Sequence, residues 1–176
     1  LIETKELITQ MADIYRFKKT VEFDESKDEV YERITTVLQK RFALKDFELF
    51  EVDNSSGKVK TIYPKETNFL IHTSTCRAIR TKQSVYSDQF ENICPGCAEE
   101  KEHFACIPYT ISGDFEIMLR FNGKDKNILD TIREQIQEID NYIDAARPEL
   151  VNKNLNAILK KSATTDQLTG LYNRKF

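Results

Sequence analysis

The chain has 176 residues, a formal net charge of −3, 31% charged residues and 40% hydrophobic residues. The length suits one domain plus flanking elements, and the composition fits a soluble globular protein with exposed helices. No long basic block is present, which speaks against a nucleic-acid surface, and no apolar run approaches the roughly 20 residues that cross a bilayer. The charged, amphipathic N-terminus is unlike a signal peptide, and the first residue is Leu rather than Met. The chain is therefore expected to start inside a longer cytoplasmic protein, with membrane attachment only through upstream segments if at all. No glycine-rich phosphate loop and no Ser/His/Asp set stands out by spacing, so no catalysis is expected of this segment itself.

Taken in chain order, residues 1–19 predict a helix, with Leu7, Met11, Ile14 and Phe17 at helical spacing between charged residues. Asp24 or Ser26 offers an N-cap to a second helix carrying Val30, Ile34, Val37, Leu38 and Phe42 along one face. Phe47–Val52 and Lys58–Tyr63 are rich in strand formers. They flank the turn Asp53-Asn54-Ser55-Ser56-Gly57 and predict a β-hairpin. Residues 75–82 predict a short helix carrying Cys76, and residues 84–88 a short strand. Phe104–Thr110 and Asp114–Phe121 predict a second hairpin turning at Ser112-Gly113, and residues 126 to about 163 a long helix. This order predicts an α+β fold, an antiparallel sheet with helices packed on it.

Within the long helix, Leu129, Ile132, Ile136, Ile139, Ile143 and Ala146 form a heptad seam. Such a seam suits a homodimeric coiled coil over residues 126–165, and it also suits one helix packed on its own sheet. Pro148 removes one backbone hydrogen bond and favours a kink. Beyond it, Val151, Leu155, Ile158 and Ser162 stand one residue out of phase with the seam. A phase slip beside a kink is a place where helix rotation can change.

The four cysteines are confined to the pattern Cys76-x17-Cys94-x2-Cys97-x8-Cys106. Cys94-Pro95-Gly96-Cys97 is a tight turn of the kind that presents two sulfurs to tetrahedral zinc. Four thiolates select zinc or an iron–sulfur cluster over magnesium or calcium. The first reading is a metal site of Cys76, Cys94, Cys97 and Cys106, with His103 able to replace one sulfur. The second is a redox pair of Cys94 and Cys97. The third is no ligand at all, with Cys106 a small core residue in an apolar strand.

The C-terminal residues Asp166-Gln167-Leu168-Thr169-Gly170-Leu171-Tyr172-Asn173-Arg174-Lys175-Phe176 resemble the opening of a GGDEF domain, the diguanylate cyclase module, whose entry pattern is D-x-L-T-G-L-x-N-R-[RK]-x-F. The metal-binding carboxylates, guanine-binding residues and signature loop of that family lie beyond this entry segment. Asp166 and Asn173 are therefore read as shaping a junction rather than as catalytic. The order of elements over residues 21–125 resembles a GAF domain, with Cys106-Ile107-Pro108 and Phe115–Leu119 as its late hairpin; a PAS fold is the alternative. Several GAF domains that precede GGDEF domains have segments similar to Cys76-Arg77-Ala78-Ile79-Arg80-Thr81. These resemblances imply an N-terminal signalling helix (1–20), a GAF-like sensor (21–125), a coiled-coil linker (126–165) and the start of a GGDEF domain (166–176). The implied function is regulation of cyclic di-GMP synthesis from GTP through a dimeric helix. The alternatives are a zinc-stabilised dimerisation module, or a thiol redox sensor, with a degenerate output domain.

Overall fold

A computed structural model describes residues 1–67, 69–98, 103–164 and 169–171. Strands β1 (Phe47–Asp53), β2 (Lys58–Tyr63), β3 (Val85–Tyr86), β4 (His103–Ser112) and β5 (Phe115–Gly123) form one sheet in the order β2-β1-β5-β4-β3. Every neighbouring pair is antiparallel. The fold is thus α+β, as the sequence implied. The β1–β2 hairpin turns where its chemistry requires. The Asp53 carboxylate accepts the backbone N–H of Ser55 at 2.9 Å and of Ser56 at 3.3 Å. Gly57 then takes φ +69°, a region that a side chain disfavours.

Helices α1 (Ile2–Glu22), α2 (Lys27–Lys40) and α5 (Asn127–Thr164) cover one face of the sheet. The Ser26 hydroxyl caps α2 by accepting the Glu29 N–H. The opposite face is covered by the chain between β2 and β3, including α3 (Arg77–Thr81), and by the chain that leads from β3 to α4 (Pro95–Ala98). Strand alternation sorts the side chains between the two faces. In β5, Phe115, Ile117, Leu119 and Phe121 enter the helix-side core, while Met118 joins a second cluster with Phe50, Val52, Phe104 and Cys106. Gly123 ends β5 where a Cβ would lie 2.6 Å from Ile128 Cγ2, so only glycine lets α5 start this close to the sheet.

Helices α1 and α5 run parallel, because residues ascending along one meet residues ascending along the other. Arg41 bridges Asp13 and Glu138, Phe17 meets Tyr142 edge-on at 5.1 Å, and Lys153 Nζ donates to the Val21 carbonyl at 3.4 Å. This packing assigns the heptad seam. Leu129, Ile132, Ile139, Ile143 and Ala146 are all buried in the helix-side core, and Ile136 packs against it. The seam therefore belongs to the protomer's own core and is not the free coiled-coil stripe that its spacing also allowed. A three-layer core of α1, α2 and sheet needs the same narrow stripe as a partner helix. The helix also runs unbroken through Pro148. Beyond that proline, Leu155, Ile158 and Leu159 are 52%, 56% and 65% exposed. On α1 the expected apolar face divides: Ile14 and Phe17 pack inward, while Leu7 and Met11 stay in solvent. The GGDEF-like run lies outside the described residues except for 169–171.

Ile139→Ala should lower the stability of the chain by about 2–5 kcal/mol, the range for a truncated core aliphatic. Leu159→Ala should stay within about 0.5 kcal/mol. Urea unfolding of the two variants measures both. Equal, small losses would mean that the seam is not core.

Candidate functional site

The second face of the sheet holds a cavity of about 270 Å³. Its floor is Cys106 of β4 and Met118 of β5. Cys106 stands opposite Arg120 and Pro108 opposite Met118, so the two sulfur side chains are diagonal neighbours on one face. The walls come from Phe69, Leu70 and Ile71 before α3, and from Ile93, Cys94, Pro95 and Gly96 at the start of α4. Cys76, the N-cap residue of α3, closes a turn in which its N–H and that of Thr75 both donate to the His72 carbonyl. His72 and Arg77 add positive or titratable groups to the lining, and no carboxylate lines it among the described residues.

Three of the four sequence-predicted site residues therefore line one pocket. Cys106 is buried, and Cys76 and Cys94 are half-buried. Cys97 lies in α4, and its side chain is outside the described atoms. Among the described residues, no three His, Cys, Asp or Glu side chains gather closely enough to hold a metal ion as they stand. His103 does not serve as an alternative ligand. It precedes Cys106 by three positions in an unbroken stretch of ladder, so it falls on the opposite face of β4.

Beside the pocket runs a buried polar row that the sequence reading did not single out. Arg120 is fully buried, its guanidinium 3.8 Å from the Phe69 ring centroid and 5.2 Å from that of Phe104. A guanidinium stacked on two aromatic faces gains cation–π attraction in a dry site. The stack ties the pocket wall at Phe69 to the central strand. Asn122 Nδ2 donates to Glu48 Oε2 at 2.6 Å. Glu116 accepts from Asn54 and, at 3.3 Å, from Thr110, and pairs with Lys82 Nζ at 2.5 Å. Lys82 is the left-handed residue that ends α3, so this ion pair pins the helix that follows Cys76.

A second missed feature joins the pocket to the long helix. Arg133 of α5 grips Asp88 with two hydrogen bonds, Nη1 to Oδ2 at 2.8 Å and Nη2 to Oδ1 at 2.5 Å, and stacks 4.4 Å from the Tyr86 ring centroid. Asp88 lies in the chain between β3 and the pocket residues Ile93 and Cys94. The Arg133 hydrogen bonds hold the Asp88 carboxyl below its usual range, and Asp88 raises Arg133 in turn. Since folding lowers this carboxyl's pKa, the pair's contribution is present above the unfolded value of about 3.9 and is lost as pH falls through the lower folded value. The helix is fastened again further along: Tyr109 donates to Asp140 at 2.8 Å and Arg147 Nε to the Thr110 carbonyl at 3.0 Å. Burial, the largest influence on each group, raises both the Asp140 carboxyl and the Tyr109 hydroxyl.

Neither a protein-family model nor a curated protein matches this chain. Among solved structures, the chain is similar to the crystal structure of a methyl-accepting chemotaxis protein, residues 122 to 287, with a TM-score of 0.56 and 12% identity. The match covers 80% of this chain and 97% of that one. At this identity the likeness speaks for the fold. Among the described residues, no helix is long and apolar enough to cross a membrane.

The pocket makes a direct statement about thiol accessibility. A short alkylation pulse on the native, reduced chain, read by peptide mass spectrometry, should label Cys76 and Cys94 well before Cys106. Labelling of Cys106 at the same rate would mean that the second core cluster is open.

Proposed function

We propose that the chain receives a signal at the thiol-lined pocket and relays it through α5 to an output domain that begins in the GGDEF-like run after the helix. The observation that carries this reading is the Asp88–Arg133 pair, because it ties the pocket's own loop to the helix that leads into that run. The likeness to a domain of a chemotaxis protein supports the coarser half, a role in signal transduction. The residues Asp166 to Lys175 support the finer half, control of cyclic di-GMP synthesis by a diguanylate cyclase domain.

A cyclase that joins two GTP molecules needs two copies of its domain to meet, so the relay is proposed to work in a homodimer. The seam over residues 129–146 is taken up by the protomer's own core, which leaves the later part of α5 for pairing. There Leu155, Ile158 and Leu159 present an exposed apolar stripe in the last turns before the junction. Parallel pairing of two such stripes would hold two output domains side by side, and a rotation or tilt of α5 would alter how they meet.

Alone, the chain should form no cyclic di-GMP. Joined through α5 to a complete GGDEF domain, it should make turnover depend on the link: R133Q should change output at least about 5-fold, the lower end of typical coupling between sites. Leu155→Asp with Ile158→Asp should shift the mass in light scattering from dimer to monomer and lower output, while the thermal midpoint stays nearly constant. Output that ignores all three substitutions would remove α5 from the relay.

A further inference from the structure

We propose that the pocket takes a small aromatic carboxylate, its ring seated on the sulfur-bearing floor and its carboxylate at the mouth beside Arg77. This names a ligand class for the cavity that the relay reading takes as its input. Binding itself rests on the cavity alone, whether or not the relay operates.

Burial grades the lining by depth. Phe69, Cys106 and Met118 are buried, Ile71 and Ile93 are half-buried, and Arg77 is exposed. The deep part is therefore apolar, and the charge stands at the opening. A volume of about 270 Å³ lies just under the about 300–1,000 Å³ typical of ligand pockets. That size favours a single ring over a nucleotide or a haem. The floor favours an aromatic ring over a plain alkyl chain, because the Met118 thioether is polarizable and meets ring edges well. The Phe69 wall is already held by the Arg120 stack, 3.8 Å from its ring centroid, so a ligand need not order it.

The mouth selects the sign of the ligand's charge. Arg77 carries a guanidinium that stays protonated at any physiological pH. Among the described residues it forms no ion pair, and no carboxylate lines the cavity. A cation left unneutralised at the rim of an apolar cavity attracts an anionic group and repels an ammonium. A guanidinium also matches a carboxylate through two parallel N–H donors. Because Arg77 is exposed, water screens this attraction, so charge sets preference while the buried ring supplies most of the affinity.

The chain carries its own reporters for the test. It has two methionines, Met118 on the pocket floor at 1% exposure and Met11 on α1 at 62%. With both methyl groups ¹³C-labelled, the full reduced chain is titrated with phenylacetate and followed by NMR. 2-Phenylethanol and phenethylamine keep the ring and put a neutral or a cationic group in place of the carboxylate. Phenylacetate should shift the Met118 methyl saturably, leave Met11 in place, and bind more tightly than either analogue. R77Q should weaken phenylacetate by about 2–5-fold, the worth of a solvent-exposed ion pair, and leave 2-phenylethanol unchanged. No saturable shift of Met118, or equal shifts of both methionines, overturns the proposal. So does phenethylamine binding as tightly as phenylacetate, or a phenylacetate affinity indifferent to R77Q. Saturable binding at Met118 that leaves the output of the GGDEF fusion unchanged would sink the relay and leave the site standing.

Discussion

The molecule depends on a central strand that is buried on both faces. In β5, every residue from Phe115 to Asn122 is buried, although Glu116, Arg120 and Asn122 are polar or charged. An antiparallel sheet commonly leaves one face to water. Here the first face carries the helices and the second carries the pocket. The sheet between them is a close-packed wall whose ladders on both sides of β5 are long. Such a wall transmits little by bending. A change in the pocket reaches α5 most directly around the edge.

That edge is β3, a strand of two residues. A short edge strand resists unwanted pairing with other chains and gives way more easily than the interior. Just past it, the chain carries Asp88 to Arg133 on one side and continues to Cys94 in the pocket on the other. Arg133 thus meets the pocket loop where the sheet is weakest. The opposite end of the pocket is held more firmly: Arg120 stacks on Phe69, and Lys82 pairs with buried Glu116. One wall is anchored to the central strand while the other is fastened to the helix.

Much of the fold was legible because local chemistry and tertiary structure agree. Both hairpins, the Ser26 cap and the long helix follow from strand formers, turn residues and helical spacing. The seam from Leu129 to Ala146 was legible as a buried stripe, but its partner was not. A 3-4 spacing is the same whether the stripe meets a second copy or the protomer's own α1, α2 and sheet. Cysteine spacing pointed to the pocket, since strand, turn and helix cap bring Cys106, Cys94 and Cys76 to one cavity. Strand parity would have set His103 aside, because three positions separate it from Cys106. The alternation Glu116, Met118, Arg120, Asn122 was the one available signal of the polar row, and it reads equally well as a solvent face. The Asp88–Arg133 pair leaves no local trace, since it joins a loop to a helix across the sheet edge.

The relay proposed for this chain has α5 and the pocket loop mechanically joined through Arg133. The decisive measurement is the rate at which Cys94 is alkylated in the native chain, compared with the same rate in R133Q. Coupling between sites is reciprocal, so releasing the helix end of the link must loosen its pocket end. The expected result is severalfold faster labelling of Cys94 in R133Q, with the buried Cys106 still protected. Equal Cys94 rates in the two proteins would contradict the claim, because the loop would then be indifferent to the helix.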